Sequence, residues 1–310
     1  MSAQEHKRQR IYLDHNATSP LAVGVSEAVT AALHVPGNPS SPHAEGRAAR
    51  AILEKARHEV AAVLGGEALD LVFTSGGTEA NHLGLIGLAR SAGRPCVVVP
   101  PTVHPSLWQA GVALEPHGIS NKPVKVVAEG RLLIGELRAT LSSKEVGVLA
   151  VSLANHELGT VERLGELTEV AAEYGTLVFC DGVQALGRIP VDVSTMGIAG
   201  MSLSAHKIGG PKGVGALWLQ PGPNLGPLVG GGKQEAGRRP GTEALPLIAG
   251  FASAVRQVPE RLADSVRQAG LRDQVGKGLV ALGASLHSRP DGLCNTVCAR
   301  FPGIAGELLV

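Results

Sequence analysis

The chain has 310 residues, a length that fits one large domain plus a smaller one and is ample for burying a core. Its 28 Lys+Arg against 27 Asp+Glu leave a formal net charge of +1, which argues against nonspecific binding to nucleic acid or to a membrane surface. Aromatic residues make up only 3% of the chain, too few for single-strand stacking platforms, and the four Cys show no Cys-x-x-Cys spacing, so neither a disulfide framework nor a zinc ribbon is expected.

The N-terminal stretch MSAQEHKRQR is basic, but no isolated apolar run follows it, so a signal peptide is not expected. No apolar run approaches the roughly 18 residues that suggest a membrane helix. A cytoplasmic chain with reduced Cys96, Cys180, Cys294 and Cys298 is the expectation. In chain order, apolar spacing predicts a helix over 42–64, closed by Gly65-Gly66. A short strand over 70–73, a turn over 74–78 and a helix over 79–90 follow. Next come a strand over 96–100, a helix over 104–112, a strand over 124–127 and a short helix over 135–141. A buried strand over 146–153 precedes an amphipathic helix marked by Leu164, Leu167, Val170, Ala171 and Tyr174. Strands over 176–180 and 213–219 come next, then a mainly helical stretch over 244–284 and a last strand over 295–301. Strands that are apolar throughout and separated by helices imply an α/β fold with a mostly parallel sheet sandwiched by helices. The expected division is a large domain over 15–249 and a smaller, incomplete α+β domain formed by 1–14 and 250–310.

Ligands of open α/β sheets bind at the carboxyl ends of the strands, and five segments there carry possible chemistry. Thr74-Ser75-Gly76-Gly77-Thr78-Glu79 joins a strand to a helix start that suits an anion; alone, it reads more readily as a tight turn with a cap. Asp181 ends an apolar strand, where a carboxylate wants a cationic partner such as a protonated pyridine nitrogen, or simply forms a turn. Lys207, between a small-residue run and a Gly-rich loop, suits Schiff-base chemistry, while Lys212 fits a surface lysine better. His104 in Thr102-Val103-His104-Pro105 suits stacking on a flat ring, or is a structural histidine. The loop over 230–242, with its glycines, Arg238, Arg239 and Thr242, either clamps a phosphate or carboxylate or is a mobile surface loop. The 11 His show no metal-ligand spacing, so no metal site is expected. The order of a phosphate cradle, a stacking His, a strand-end Asp and a Lys matches pyridoxal-phosphate enzymes of the aminotransferase-like fold.

At these residues the chain resembles the cysteine desulfurases of class V of that fold (pyridoxal-phosphate-dependent fold type I). The matching stretches are Ile11 to Pro20, Gly37 to His43, Phe73 to Asn81, Ala154 to Gly159, Asp181 to Ala185, Ser204 to Gly213 and Gly230 to Thr242. The resemblance implies pyridoxal 5'-phosphate as cofactor, with Lys207 as its Schiff-base lysine, Asp181 on the pyridine nitrogen and His104 stacked on the ring and moving protons. Gln184 would bond the ring hydroxyl, and Gly77, Thr78, Ser204 and His206 would hold the phosphate. Thr242 would reach the phosphate of the other subunit of a homodimer, and Asn38 would hold the substrate carboxylate. The resemblance further implies cysteine or a related sulfur amino acid as substrate, a sulfur-acceptor protein as partner, and a place in sulfur metabolism or iron–sulfur cluster assembly.

Two departures from the family pattern carry expectations of their own. His156 stands where relatives have the Asn that contacts the ring hydroxyl, and Asn155 would replace that Asn only after a backbone shift. Relatives also carry a thiolate loop and then a carboxylate-binding Arg beyond the strand that 295–301 resembles, whereas this sequence stops at Val310. A truncated or shortened desulfurase with impaired turnover is therefore expected. Cys294 and Cys298 would share one face of the last strand without a catalytic role. The rival expectations are a pyridoxal-phosphate lyase cutting C–S or C–Se bonds, as in cystine or selenocysteine lyases, and a non-catalytic remnant or dimer partner.

Overall fold

The computed structural model describes residues 10–309, and within them apolar runs become strands wherever helices can cover both faces. Residues 1–9, most of the basic N-terminal stretch and much of the 1–14 segment assigned to the smaller domain, lie outside the described residues. The order begins α1 (Val25–Leu33), α2 (Ala44–Val63), β1 (Leu71–Thr74), α3 (Gly77–Ala92), β2 (Cys96–Val98), α4 (Pro105–Val112) and β3 (Ser120–Asn121). It continues with α5 (Ile134–Leu141), β4 (Val146–Ser152), α6 (Leu164–Glu173), β5 (Leu177–Asp181), β6 (Gly200–Ser204) and β7 (Gly215–Leu219). The chain then runs through α7 (Leu245–Val255), α8 (Val258–Ala263), α9 (Ser265–Ala281), β8 (Ser285–Leu286) and β9 (Ala299–Arg300).

The main sheet has seven strands in the order β1-β7-β6-β5-β4-β2-β3. All neighbours are parallel except β7, which runs antiparallel to both β1 and β6. The expected α/β fold with a mostly parallel sheet is therefore present. Alternation along each strand feeds two apolar layers. Val178 and Cys180 of β5, with Ala216 and Trp218 of β7, join the layer shared with α2, α6 and α7. Phe179, Leu217 and Leu219 point the other way, into the layer under α3 and α4.

Three local expectations change. The strand expected over 124–127 is displaced to Ser120–Asn121. Lys122 still donates its N–H to Val97 O at 2.8 Å, but Pro123 has no N–H to continue the ladder, and only an isolated bridge from Val126 to Leu132 follows. The strand expected over 295–301 shrinks to Ala299–Arg300, paired antiparallel with β8. Arg272 draws the preceding turn inward by donating to Gly292 O and Leu293 O at 3.2 and 3.0 Å. Cys294 and Cys298 therefore do not share a strand face: Cys294 is buried, 3.6 Å from Gln268 Oε1, and Cys298 is half-buried in the segment before β9. Helix α1 and strand β6 were not anticipated at all. Gly200-Met201-Ser202-Leu203-Ser204 has too little apolar character to read as a strand, yet it is fully buried in mid-sheet.

Candidate active site

The carboxyl ends of β1, β4, β5 and β6 meet at one edge of the sheet, as their parallel courses require. Thr74, Ser152, Asp181 and Ser204 are the terminal residues there. A cavity of about 450 Å³ opens at that edge, within the range of small-molecule sites. Gly77, Thr78, His104, His156, Asp181, Gln184, Ser204, His206 and Lys207 all line it. A second cavity of about 490 Å³ shares Gly77, Thr78, Ser204 and His206 with the first and adds Lys212.

Helix α3 starts at this shared wall, and the first amides of a helix have no partners within it. A Cβ on Gly77 would lie 2.8 Å from Val183 Cγ2 and 3.5 Å from Ser204 Cβ, so glycine keeps the helix start open to the cavity. Glu79, in the first turn, accepts from Ser75 N at 2.6 Å and from Arg239 Nε at 2.9 Å. Burial pushes its carboxyl up, but these bonds outweigh burial and hold it below the ordinary carboxylate range.

Asp181 is buried. Its Oδ1 accepts from Val183 N at 3.0 Å and its Oδ2 from Asn81 Nδ2 at 2.9 Å. Lys207 donates to the carbonyls of Asn16 and Ala17, the latter at 2.9 Å. Burial first, then the Arg188 guanidinium, pull the lysine below its ordinary range against the attraction of Asp181 and Asp14. Burial, Lys207 and Lys212 together push the His206 imidazole down to about 4, and its Nδ1 lies 3.1 Å from Thr18 Oγ1. His104 caps α4, and its ring lies edge-on to His156 with 5.1 Å between centroids. Gln184 donates to Asn16 O at 3.0 Å and accepts from Arg188 Nη1, which is buried and pushed down to about 10.

Three of the expected residues do not line this cavity. Asn155 turns away: its amide donates to Thr102 O at 2.8 Å, and its Oδ1 accepts from Glu157 N and Leu158 N at 2.9 and 2.8 Å. His156 takes the lining position instead. Asn38 is exposed in the loop before α2, and Thr242 is exposed beyond the loop that Arg239 tethers. Four residues absent from the sequence expectations are prominent: Asn16, Asn81, Ser106 and Arg188. Asn16 binds Lys207 and Gln184 through its carbonyl and donates from its side chain to His156 O and Thr296 Oγ1 at 3.0 and 2.9 Å. Asn16 and Asn81 fall inside the quoted family stretches, which was the available signal. Ser106 and Arg188 carry none.

Residues 11–279 match the family model described as aminotransferase class-V. The chain belongs to that family. Class-V members of this kind depend on pyridoxal phosphate. The chain is 39% identical over 313 residues to a cysteine desulfurase of Cereibacter sphaeroides, covering 97% of this chain and 79% of that one. It is 37% identical to a cysteine desulfurase of Bradyrhizobium diazoefficiens, covering 97% and 78%. A solved NifS-like protein superposes with a TM-score of 0.93 at 33% identity, covering 97% and 84%. A structure described as SspA in complex with cysteine gives 0.83 at 30%, covering 94% and 84%. The chain is thus a cysteine-desulfurase-like member of class V and spans about four-fifths of the relatives it matches. The site residues fit pyridoxal phosphate: a glycine-lined helix start for the phosphate, a buried carboxylate, a cavity-lining lysine below its ordinary pKa and an imidazole wall converge on one cavity.

Proposed function

We propose that this chain binds pyridoxal phosphate on Lys207 and acts on cysteine or a closely related sulfur amino acid. The single observation that carries the reading is the convergence of Lys207, Asp181, His104 and the Gly77–Thr78 helix start on one cavity. When bound, the cofactor supplies an electrophilic carbon for amines and a ring that accepts electrons from bonds at the substrate α-carbon. Lys207 is the covalent anchor, and Asp181 holds the ring nitrogen in its protonated state. Gly77, Thr78, Ser204 and His206 would hold the phosphate, and Gln184 with His156 would serve the ring hydroxyl. Thr242, exposed in one copy, serves the phosphate of the partner subunit across a homodimer, and Asn38 serves the substrate carboxylate. The proposed division of the chain is 15–249 for the cofactor domain and 250–310, with 1–14, for the smaller one. A cytoplasmic setting and a separate sulfur-acceptor protein complete the reading.

A second reading, C–S bond cleavage without a protein persulfide, is favoured by the placement of the thiols. No cysteine lines the cavity among the described residues. Burial, then the Asp181 carboxylate, push the Cys180 thiol far up. Burial also raises Cys294 and Cys298. Buried, electrically neutral thiols are poor nucleophiles. Incubation of cofactor-loaded protein with cysteine, with alanine, free sulfide and protein-bound persulfide measured, tests both readings. Alanine with persulfide identifies a desulfurase, and free sulfide without persulfide identifies a lyase. Loaded protein that produces neither, with cysteine or with cystine, contradicts the proposal.

A further inference from the structure

A chain of hydrogen bonds, buried from Asp181 to Ser106 and more open at its His104 end, connects Asp181 to His104. Asp181 Oδ2 accepts from Asn81 Nδ2 at 2.9 Å, and the same nitrogen donates to Ser106 Oγ at 2.9 Å. Ser106 Oγ lies 2.7 Å from His104 Nδ1, and Ser106 N donates to that same Nδ1 at 3.1 Å. Asn81 and Ser106 are both buried.

The chemistry of the groups fixes the direction of every link. An ionised carboxylate only accepts, so the nitrogen of the Asn81 amide must face Asp181. Its second hydrogen then points at Ser106 Oγ, which spends a lone pair on it. The hydroxyl proton is left for His104 Nδ1. A ring nitrogen that receives both a hydroxyl and a backbone N–H cannot itself carry a proton. We propose that Asn81 and Ser106 are positioning residues that lock His104 as the neutral, Nε2-protonated tautomer, with Nε2–H as the ring's free donor.

The groups facing His104 agree. Asp181 approaches from β5, His156 and Glu157 from the turn after β4, and Lys207 from the segment after β6. Burial leads, with His156 and Lys207 adding to it, and outweighs Asp181 and Glu157, so His104 is held below its ordinary range. Protonation could occur only at Nδ1. That would require the Ser106 hydroxyl to rotate and the Ser106 N–H to lose its acceptor. The tautomer lock stands on geometry alone, whereas its meaning for a bound ring rests on the function proposed above.

Imidazole nitrogen NMR of the full chain labelled with 15N-histidine tests the lock, with His104→Gln giving the assignment and spectra taken before and after adding pyridoxal phosphate. The expected wild-type spectrum has His104 Nδ1 unprotonated and Nε2 protonated, with protonation setting in at lower pH than for an exposed imidazole. Ser106→Ala should raise the protonation constant of His104 about three- to tenfold and shift the tautomer ratio, and Ser106→Thr should restore both. Asn81→Ala should alter the tautomer ratio only while Ser106 is present. A proton on Nδ1 of the neutral ring in the wild type, or a Ser106→Ala spectrum identical to it, overturns the proposal. Protein that shows the lock but never forms a cofactor adduct contradicts the functional reading and leaves the lock standing.

Discussion

His206 and Lys207 follow one another in the chain, and both are held less readily protonated than free side chains by the same wall of the cavity. For His206 the consequence reaches stability. Its folded value is about 4 against an unfolded value of 6.5, so between those limits the unfolded chain binds more protons. Stability should therefore be flat above about pH 6.5 and fall as pH drops toward 4. Urea midpoints measured across that window should show the slope, and His206→Asn should flatten it. An equal slope in the variant would assign the effect to other groups. Asp181 and Gly77-Thr78 were legible in the sequence because each marks the end or start of a predicted element, β5 and α3, whereas Ser204 came only with the family resemblance because β6 does not read as a strand. Asn81 carried only the signal of lying in a family-like stretch and Ser106 none, because the bonds that join Asn81 to Ser106 and to Asp181 span 25 and 100 residues.

At the scale of elements, the phosphate side of the cavity depends on how closely β7 approaches the turn before α3. Gly215 is paired with both Thr74 and Ser204. A Cβ there would lie 2.5 Å from Leu203 O and 2.6 Å from Gly76 C, which are backbone atoms that cannot step aside. Gly215→Ala should cost about 1–3 kcal/mol of stability, read as a lower denaturation midpoint, and weaken pyridoxal-phosphate binding with it. The loop over 230–242 is held by a second device. Glu235 is buried in the left-handed region, at φ 49°, and accepts from Arg57 at 2.6 and 2.7 Å and from Phe73 N at 2.8 Å. Arg57→Leu strands that carboxylate in the core and should cost about 3–5 kcal/mol. A loss below about 1 kcal/mol would mean that solvent reaches the pair. The long periodic helices, such as α2, were legible because their apolar spacing is sustained over many turns. The short edge strand β3 and the strand β6 were not: their residues carry no apolar run, and neighbouring strands decide their pairing.

For the whole molecule, Ile11, Leu13, Val23, Leu33 and Val229 are large apolar residues exposed on one copy. Together with exposed Thr242, they motivate the expectation of a homodimer whose cofactor occupancy falls on dilution to monomer. Sedimentation that finds a cofactor-saturated monomer would contradict it. Among the described residues no cysteine lines the cavity, so persulfide formation by Cys180, Cys294 or Cys298 is expected to be slight. Alanine produced at a relative's rate, and lost on replacing Cys294 or Cys298, would make one of those thiols the nucleophile. The most direct test of the central claim is borohydride reduction of cofactor-loaded protein, followed by peptide mapping of the pyridoxyl group. The expected result is a visible absorption band before reduction and a single adduct on Lys207. An adduct on Lys212, or none in protein that holds the cofactor, would contradict the site built here around Lys207.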